Sequence, residues 1–128
     1  MTRILCAAFL ALLPLGDGAQ RRTQTGSAAH YRPNLMEQVS RNRGLPVVDC
    51  MVAVTSDHRI GAWVTVTSHV TGYAERCRIT DVCAPRDCGR IARRGIVAEI
   101  GWTAARRLCR VSRYGEQPPS RCPVTVRR

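Results

Sequence analysis

The stretch GAWVTVTSHVTGYAERCRITD, residues 61–81, contains two alternating segments separated by a turn. In the first segment, Ala62–Ser68, valines alternate with tryptophan and threonine, which is the period-two pattern of a half-buried strand. The chain turns before Gly72, and the second segment, Ala74–Asp81, alternates again. The stretch therefore predicts two paired β-strands.

The second of these strands places Cys77, Ile79 and Asp81 on one face, and we expect this face to look inward. A carboxylate there is costly unless it is used or paired. Asp81 is therefore a candidate catalytic acid, because desolvation would raise its pKa toward a working pH. The alternative is a structural carboxylate that accepts backbone N–H bonds or pairs with Arg86 or Arg90, and the sequence leaves both open.

The rest of the chain predicts a mainly β fold with short helices. Apolar or alternating segments predict further strands at Val47–Val54, Gly95–Ile100 and 123–128. Helical patterns occur at 102–109 and after Asn34, where Asn34 is the expected cap and Gly44 ends the helix. Residues 82–95 contain a proline and two glycines and are predicted to form a long connection.

The N-terminal residues have the pattern of a secretory signal peptide. A basic start at Arg3 precedes an apolar run, Ile4–Leu15, and small residues follow, so residues 1–18 are predicted to be removed. The run is shorter than the roughly 20 residues that a membrane-spanning helix needs, which disfavours an uncleaved anchor. We expect a soluble protein, secreted or periplasmic at the cell wall, with a flexible basic arm and short helix at 19–46 and a folded domain at 47–128.

The cysteines support this location. Removal of the leader takes Cys6 and leaves an even set of six, which in a small exported domain predicts a framework of up to three disulfides: Cys50, Cys77, Cys83, Cys88, Cys109 and Cys122. Cys83–Cys88 is the expected bridge because it closes a short loop, and the other pairings stay open. No C-x-x-C or H-x-x-x-H spacing occurs, so neither a metal site nor a cofactor is predicted.

The charge balance predicts a polyanionic partner. All 20 basic residues are arginine, against nine acids, and the formal net charge is +11. In an exported protein the available polyanions include cell-wall polymers and acidic polysaccharides. Three tyrosines, two tryptophans and one phenylalanine offer few stacking platforms, so specific nucleic-acid binding is not expected.

Four short motifs occur in a familiar order: GAWVTVT at 61–67, RITD at 78–81, VAEIGWTAARRL at 97–108 and PVTV at 123–126. Together they resemble the rare lipoprotein A-like double-psi β-barrel family, which is related to the expansin-like and barwin-like barrels. The resemblance covers Val47–Val126. It implies a mainly β fold, a small six-stranded double-psi β-barrel with short helices and up to three disulfides. We expect the protein to be a monomer.

The resemblance also implies work on carbohydrate at the cell wall. The enzymes of the family are lytic transglycosylases that cleave peptidoglycan, and their acid and histidine fall at Asp81 and His58 here. Such an enzyme can use a single carboxyl group, which protonates the glycosidic oxygen and then takes a proton from the sugar's own 6-hydroxyl. Plain inverting hydrolysis would instead need a second carboxylate roughly 6.5–9.5 Å away.

Candidate substrate-binding residues are Trp63, Arg86, Asp87 and Glu99. The chain departs from the family at two places: the loop after Asp81 lacks an aromatic residue, and E-I-G replaces D-L-S at 99–101. These departures keep two alternatives open. One is a non-catalytic expansin-like or barwin-like module that binds anionic polysaccharide, and the other is a small basic protein-interaction factor.

Overall fold

A computed structural model describes residues 23–109 and 117–128 of the protein, and within them six strands form a closed barrel connected by loops and three short helices. The strands are β1 (Thr23–His30), β2 (Met51–Val54), β3 (Trp63–Ser68), β4 (Ala74–Asp81), β5 (Ile96–Ile100) and β6 (Cys122–Arg127). The helices are α1 (Leu35–Asn42), α2 (Pro85–Arg93) and α3 (Trp102–Leu108). The prediction of a small, mainly β six-stranded barrel with short helices is confirmed.

The strands follow one another around the barrel in the order β1, β5, β2, β4, β3 and β6, and β6 pairs with β1 to close it. Two neighbouring pairs are parallel, β1 with β5 and β2 with β4, whereas the other four pairs are antiparallel. A parallel pair cannot be joined by a tight hairpin. The two strands of each parallel pair are therefore separated in the sequence by other elements of the barrel.

The barrel interior is filled mainly by branched aliphatic side chains. The two strands predicted from residues 61–81 are present, and their inward positions Val64, Val66, Cys77 and Ile79 are fully buried. Core residues from the other strands and α3 include Val52, Ala98, Ile100, Leu108 and Val124. One face of β3 is directed into the closed barrel and the other outward, which accounts for the alternation of buried and more exposed residues along β3.

The N-terminal segment differs from its prediction. Residues 23–30, expected within a flexible arm, form β1, which pairs with β5 on one side and with β6 on the other. The barrel therefore begins at Thr23 rather than at residue 47. The segment TQTGSAAH shows no apolar alternation, and only Ala28 is buried, so its strand conformation comes from pairing on both edges rather than from its own residues.

The helix predicted after Asn34 is present as α1, which buries Met36 completely. Asn34 precedes it in the left-handed region, with φ of 65°, and its side chain makes no capping hydrogen bond. Gly44 follows the helix with φ of 69°, where a residue without a Cβ is favoured. The predicted end of the helix is thus confirmed, and the predicted side-chain cap is wrong.

The segment predicted as a long connection also contains a helix. Within residues 82–95, α2 begins at Pro85, and proline suits this first position because its missing N–H has no intrahelical partner there. None of the nine residues of α2 is buried. The helix therefore lies on the surface, where the interrupting Gly89 is tolerated.

Three disulfides join the six cysteines of the predicted framework: Cys50–Cys77, Cys83–Cys88 and Cys109–Cys122. The framework and the predicted short bridge are confirmed. Disulfides persist in oxidising compartments, so the three bridges suggest an extracellular environment. The predicted signal peptide, with Cys6, lies outside the described residues. Within the described parts of the chain, no helix combines the length and apolarity that a membrane crossing requires.

Candidate functional site

Asp81 ends β4 beside a β-bulge. Val52 pairs with Ile79, but the next residue of β2, Ala53, pairs with Asp81, so Thr80 is an extra residue in β4. Thr80 is buried together with Ile79, and Asp81 is turned to the partly exposed outer face. The prediction that Asp81 shares the inward face of Ile79 is therefore wrong, because the bulge shifts the alternation by one residue.

Two donors hold the carboxylate of Asp81. The hydroxyl of Tyr31 donates to Oδ2 at 2.8 Å, and Nη2 of Arg43 donates to Oδ1 at 2.8 Å. Both donors come from the segment before β2 and not from the arginines of α2 that the sequence suggested. Because both oxygens accept hydrogen bonds and one faces a guanidinium, this arrangement suits an ionised carboxylate.

Glu99 lies on the outer side of β5, in the same cross-strand row as Asp81. Ala53 pairs with Glu99 on one side and with Asp81 on the other, so the two acids stand two strands apart, with backbones about 10 Å from each other. Burial, and to a lesser degree the charge of Asp81, raises the pKa of Glu99. Burial and the hydrogen bond to Asp81 also raise the pKa of Tyr31, which keeps its proton. We call Asp81 and Glu99, with Ala53 between them, the acid row, and it combines a carboxylate that accepts two hydrogen bonds with an acid whose pKa is raised.

His58, the second predicted catalytic residue, lies against a disulfide. Its Nε2 is 3.2 Å from the carbonyl oxygen of Thr55, 3.9 Å from Sγ of Cys83 and 4.0 Å from Sγ of Cys88. The two carboxylate oxygens of Asp81 are bonded elsewhere. His58, in the loop after β2, and Asp81, at the end of β4, thus do not form a hydrogen-bonded pair.

Arg86 and Asp87, two predicted substrate-binding residues, are on the surface of α2. Arg86 Nε is 3.8 Å from Asp87 Oδ2, and Arg90 Nη2 is 3.3 Å from Asp87 Oδ1. The Arg86 side chain is 89% exposed. These contacts are surface ion pairs, which contribute little to stability.

Trp63, the remaining predicted substrate-binding residue, lies in an open groove of about 590 Å³ on the outside of the barrel. Its side chain faces outward from β3, the residue is 41% exposed, and the guanidinium carbon of Arg78 is 5.6 Å from the ring centroid. We call this the Trp63 groove, and it is lined by Trp63, Ala62, Arg59, Arg76 and Arg128.

Buried Asp57 fixes two arginines of the Trp63 groove. Arg59 donates to both of its oxygens, from Nε at 2.9 Å and from Nη2 at 2.8 Å, and Nε of Arg128 lies 3.0 Å from Oδ2. Hydrogen bonding to Arg59 lowers the pKa of Asp57 against the opposing effect of burial. Arg76 also lines the groove, and Arg78 lies against the Trp63 ring. Asp57 pairs with only two of these four arginines, so the groove carries an excess of positive charge.

Several of these residues were not singled out from the sequence. Tyr31 and Arg43 lie in the segment predicted as an arm and helix, and Arg128 reaches the loop after β2 because the barrel closes. One signal was available: Arg76 and Arg78 alternate on the outer face of β4 and so predict a basic surface beside Trp63.

Neither the protein-family models nor the curated proteins match this sequence.

Proposed function

We propose that this protein binds an anionic cell-wall glycan in the Trp63 groove. The observation that carries the proposal is an exposed indole on the outer face of a barrel strand, surrounded by four arginines. A large aromatic side chain exposed among cations is typical of a binding surface rather than of a barrel exterior.

The groove suits the chemistry of such a ligand. The flat face of Trp63 can pack against the apolar side of a sugar ring, while guanidinium groups pair with carboxylate or phosphate groups along the chain. Asp57 holds Arg59 and Arg128 in place before any ligand arrives, which reduces the entropy cost of binding.

The resemblance to rare lipoprotein A-like barrels supports a wall polysaccharide as the ligand class. The disulfides support an extracellular setting in which such polymers are present. Within the described residues, Trp63 is the one aromatic side chain lining this groove, whereas single-stranded nucleic acids are bound on successive stacking platforms.

Trp63→Ala is expected to weaken binding to insoluble peptidoglycan and to soluble polygalacturonate by about fivefold to 150-fold, because an aromatic stack contributes about 1–3 kcal/mol. Arg76→Ala is expected to reduce both the affinity and its dependence on salt, since one ion contact is lost. The measurement is the dissociation constant by co-sedimentation and by calorimetry across a series of salt concentrations.

Two variants serve as matched controls. Tyr73 is another exposed aromatic residue, 68% exposed and outside the Trp63 groove, so Tyr73→Ala should leave affinity unchanged. Arg86→Ala removes a charge from α2 and should have little effect. Equal binding by wild type and Trp63→Ala, or retention that persists undiminished in high salt, would overturn the proposal.

A second candidate function is lytic cleavage of the bound glycan, and the acid row favours it. Glu99 rather than Asp81 is suited to donate the proton, because Asp81 is already held by two donors whereas the pKa of Glu99 is raised. In this mechanism protonated Glu99 gives its proton to the glycosidic oxygen, and its carboxylate then accepts the proton of the 6-hydroxyl as the anhydro ring closes.

If the protein cleaves peptidoglycan, wild type should release fragments with anhydro-sugar ends and Glu99→Gln should release none. Since the acid must be protonated, the rate should be highest at low pH and fall as pH rises through the pKa of Glu99. Asp81→Asn removes a charge that raises this pKa, so the fall should move to lower pH. Mass spectrometry of the digests over a pH series measures these outcomes.

The stability of Glu99→Gln provides the matching control. A carboxyl group whose folded-state pKa lies above its ordinary 4.5 contributes stability that is complete below pH 4.5 and is lost as pH rises through the folded-state value. The free energy of unfolding of Glu99→Gln should thus equal that of the wild type in acid and exceed it at neutral pH. A stable variant that still yields anhydro ends would exclude Glu99 as the acid.

A further inference from the structure

A cluster of potential metal ligands lies outside both the Trp63 groove and the acid row. It consists of His58 Nε2 and the sulfur atoms of Cys83 and Cys88, and all three atoms lie within 4.8 Å of one another. His58 is exposed, and both cysteines are partly exposed. The sulfurs are joined as a disulfide here, so the cluster has two chemical states.

The Cys83–Cys88 bridge is the most exposed of the three disulfides, so we expect it to be reduced first. The cysteines of the other two bridges are buried, with exposures of 2% for Cys50, 0% for Cys77, 6% for Cys109 and 1% for Cys122. Exposed disulfides are the ones open to attack by an incoming thiolate. Selective reduction would therefore release two thiols beside His58 and leave the core bridges closed.

The spacing suits a tetrahedral ion. With metal–sulfur bonds of about 2.3 Å and metal–nitrogen bonds of about 2.0–2.1 Å, the nitrogen and each sulfur stand about 3.6 Å apart. The distances from His58 Nε2 are 3.9 Å and 4.0 Å. After reduction the two sulfurs must separate to about 3.8 Å. His58 must also turn its Nε2 lone pair from Thr55 toward the ion, which an exposed side chain can do.

We propose that reduction of Cys83–Cys88 creates a Cys2His site, with His58, for a thiophilic divalent ion such as Zn²⁺. Three protein ligands leave a fourth position for water. The two thiolates cancel the charge of the ion, so the loaded site adds no net charge beside Arg59, Arg86 and Arg90. The proposal is independent of glycan binding.

The chemistry balances with a dithiol as reductant. The dithiol closes into its own disulfide, and its two electrons and two protons pass to Cys83 and Cys88 as the bond between them breaks. Zn²⁺ then displaces both protons into solvent as the sulfurs coordinate it. In the reverse direction an incoming disulfide accepts two electrons from the thiolates and two protons from solvent and becomes a dithiol, while the Cys83–Cys88 bond reforms and the ion is released. The redox state of the bridge therefore controls metal binding.

The test uses the full chain carrying Cys6→Ser, so that the thiols counted are those of the framework. After mild dithiol reduction and anaerobic desalting, alkylation and peptide mapping should find Cys83 and Cys88 modified and the other four cysteines protected. The reduced protein should bind one Zn²⁺ in competition with a chromophoric chelator, and Co²⁺ should give a sulfur-to-metal charge-transfer band. The oxidised protein should do neither.

His58→Ala should weaken Zn²⁺ binding at least tenfold, because it removes a ligand. His69→Ala is the matched control, since His69 is an exposed histidine bonded to Thr125 instead, and it should bind as wild type does. Far-ultraviolet circular dichroism should show that the reduced protein keeps its barrel. The proposal would be overturned if the oxidised protein bound Zn²⁺ as well as the reduced protein, or if His58→Ala bound Zn²⁺ with unchanged affinity. It would also be overturned if a core bridge opened before Cys83–Cys88 or if the protein unfolded on reduction.

Discussion

Replacing Cys50 and Cys77 together by alanine is expected to lower the free energy of unfolding by about 3.5 kcal/mol, the loop-closure value for residues 27 positions apart. The bridge ties the residue before β2 to the middle of β4, and both cysteines are buried in the core. Its loss enlarges the unfolded ensemble and also removes sulfur atoms that pack among apolar side chains.

Alanine at both Cys83 and Cys88 is the matched comparison. This pair is separated by five positions and lies near the surface, so its loss should cost about 2 kcal/mol. Urea unfolding of both double variants and wild type, under oxidising conditions at one pH, gives the ranking. A surface pair that costs as much as the core pair would contradict the loop-length argument.

Gly26→Ala is expected to lower the free energy of unfolding by about 2 kcal/mol, within the usual range for overpacking. A Cβ at Gly26 would stand 2.6 Å from the carbonyl oxygen of Gly95 and 2.7 Å from Cγ1 of Val97. The backbone of β1 or β5 must move to relieve these contacts, which disturbs their parallel pairing.

Gly89→Ala provides a control of opposite sign. A Cβ there would meet only Nη1 of Arg93, at 3.3 Å, and this is the mobile end of a long side chain. Since alanine favours a helix over glycine, the variant should gain up to about 1 kcal/mol. If Gly26→Ala has the same free energy of unfolding as the wild type, residues 23–30 are the flexible arm that the sequence suggested rather than a barrel strand.

The fold could be predicted where a strand has one buried and one exposed face. The alternation along β3, and along β4 as far as Ile79, reports burial directly. It fails at Thr80, because a bulge leaves no mark in the sequence when the extra residue is a threonine that tolerates either face. It also fails for β1, whose small polar residues become a strand only through partners far along the chain.

The candidate site could be predicted in part for the same reason. Asp81, Glu99 and Trp63 stand at strand positions that the local pattern identifies. Tyr31, Arg43 and Arg128 reach the site through tertiary contacts between distant segments, which local patterns do not contain. The sequence thus indicates which groups carry chemistry, whereas the charge state of the acids depends on neighbours that only the folded chain reveals.

The pairing of β1 with β6 has a consequence for how the protein folds. Thr25 stands opposite Thr125, so the contact that closes the barrel joins residues 100 positions apart. Contacts of such long sequence separation form slowly, because the entropy of a large loop must be lost first. Until β6 arrives, one edge of β1 and one edge of β3 remain unpaired. Before β6 is paired, the chain would therefore expose two strand edges that can associate with other molecules. Pairing of β6 with β1 and β3 covers both edges.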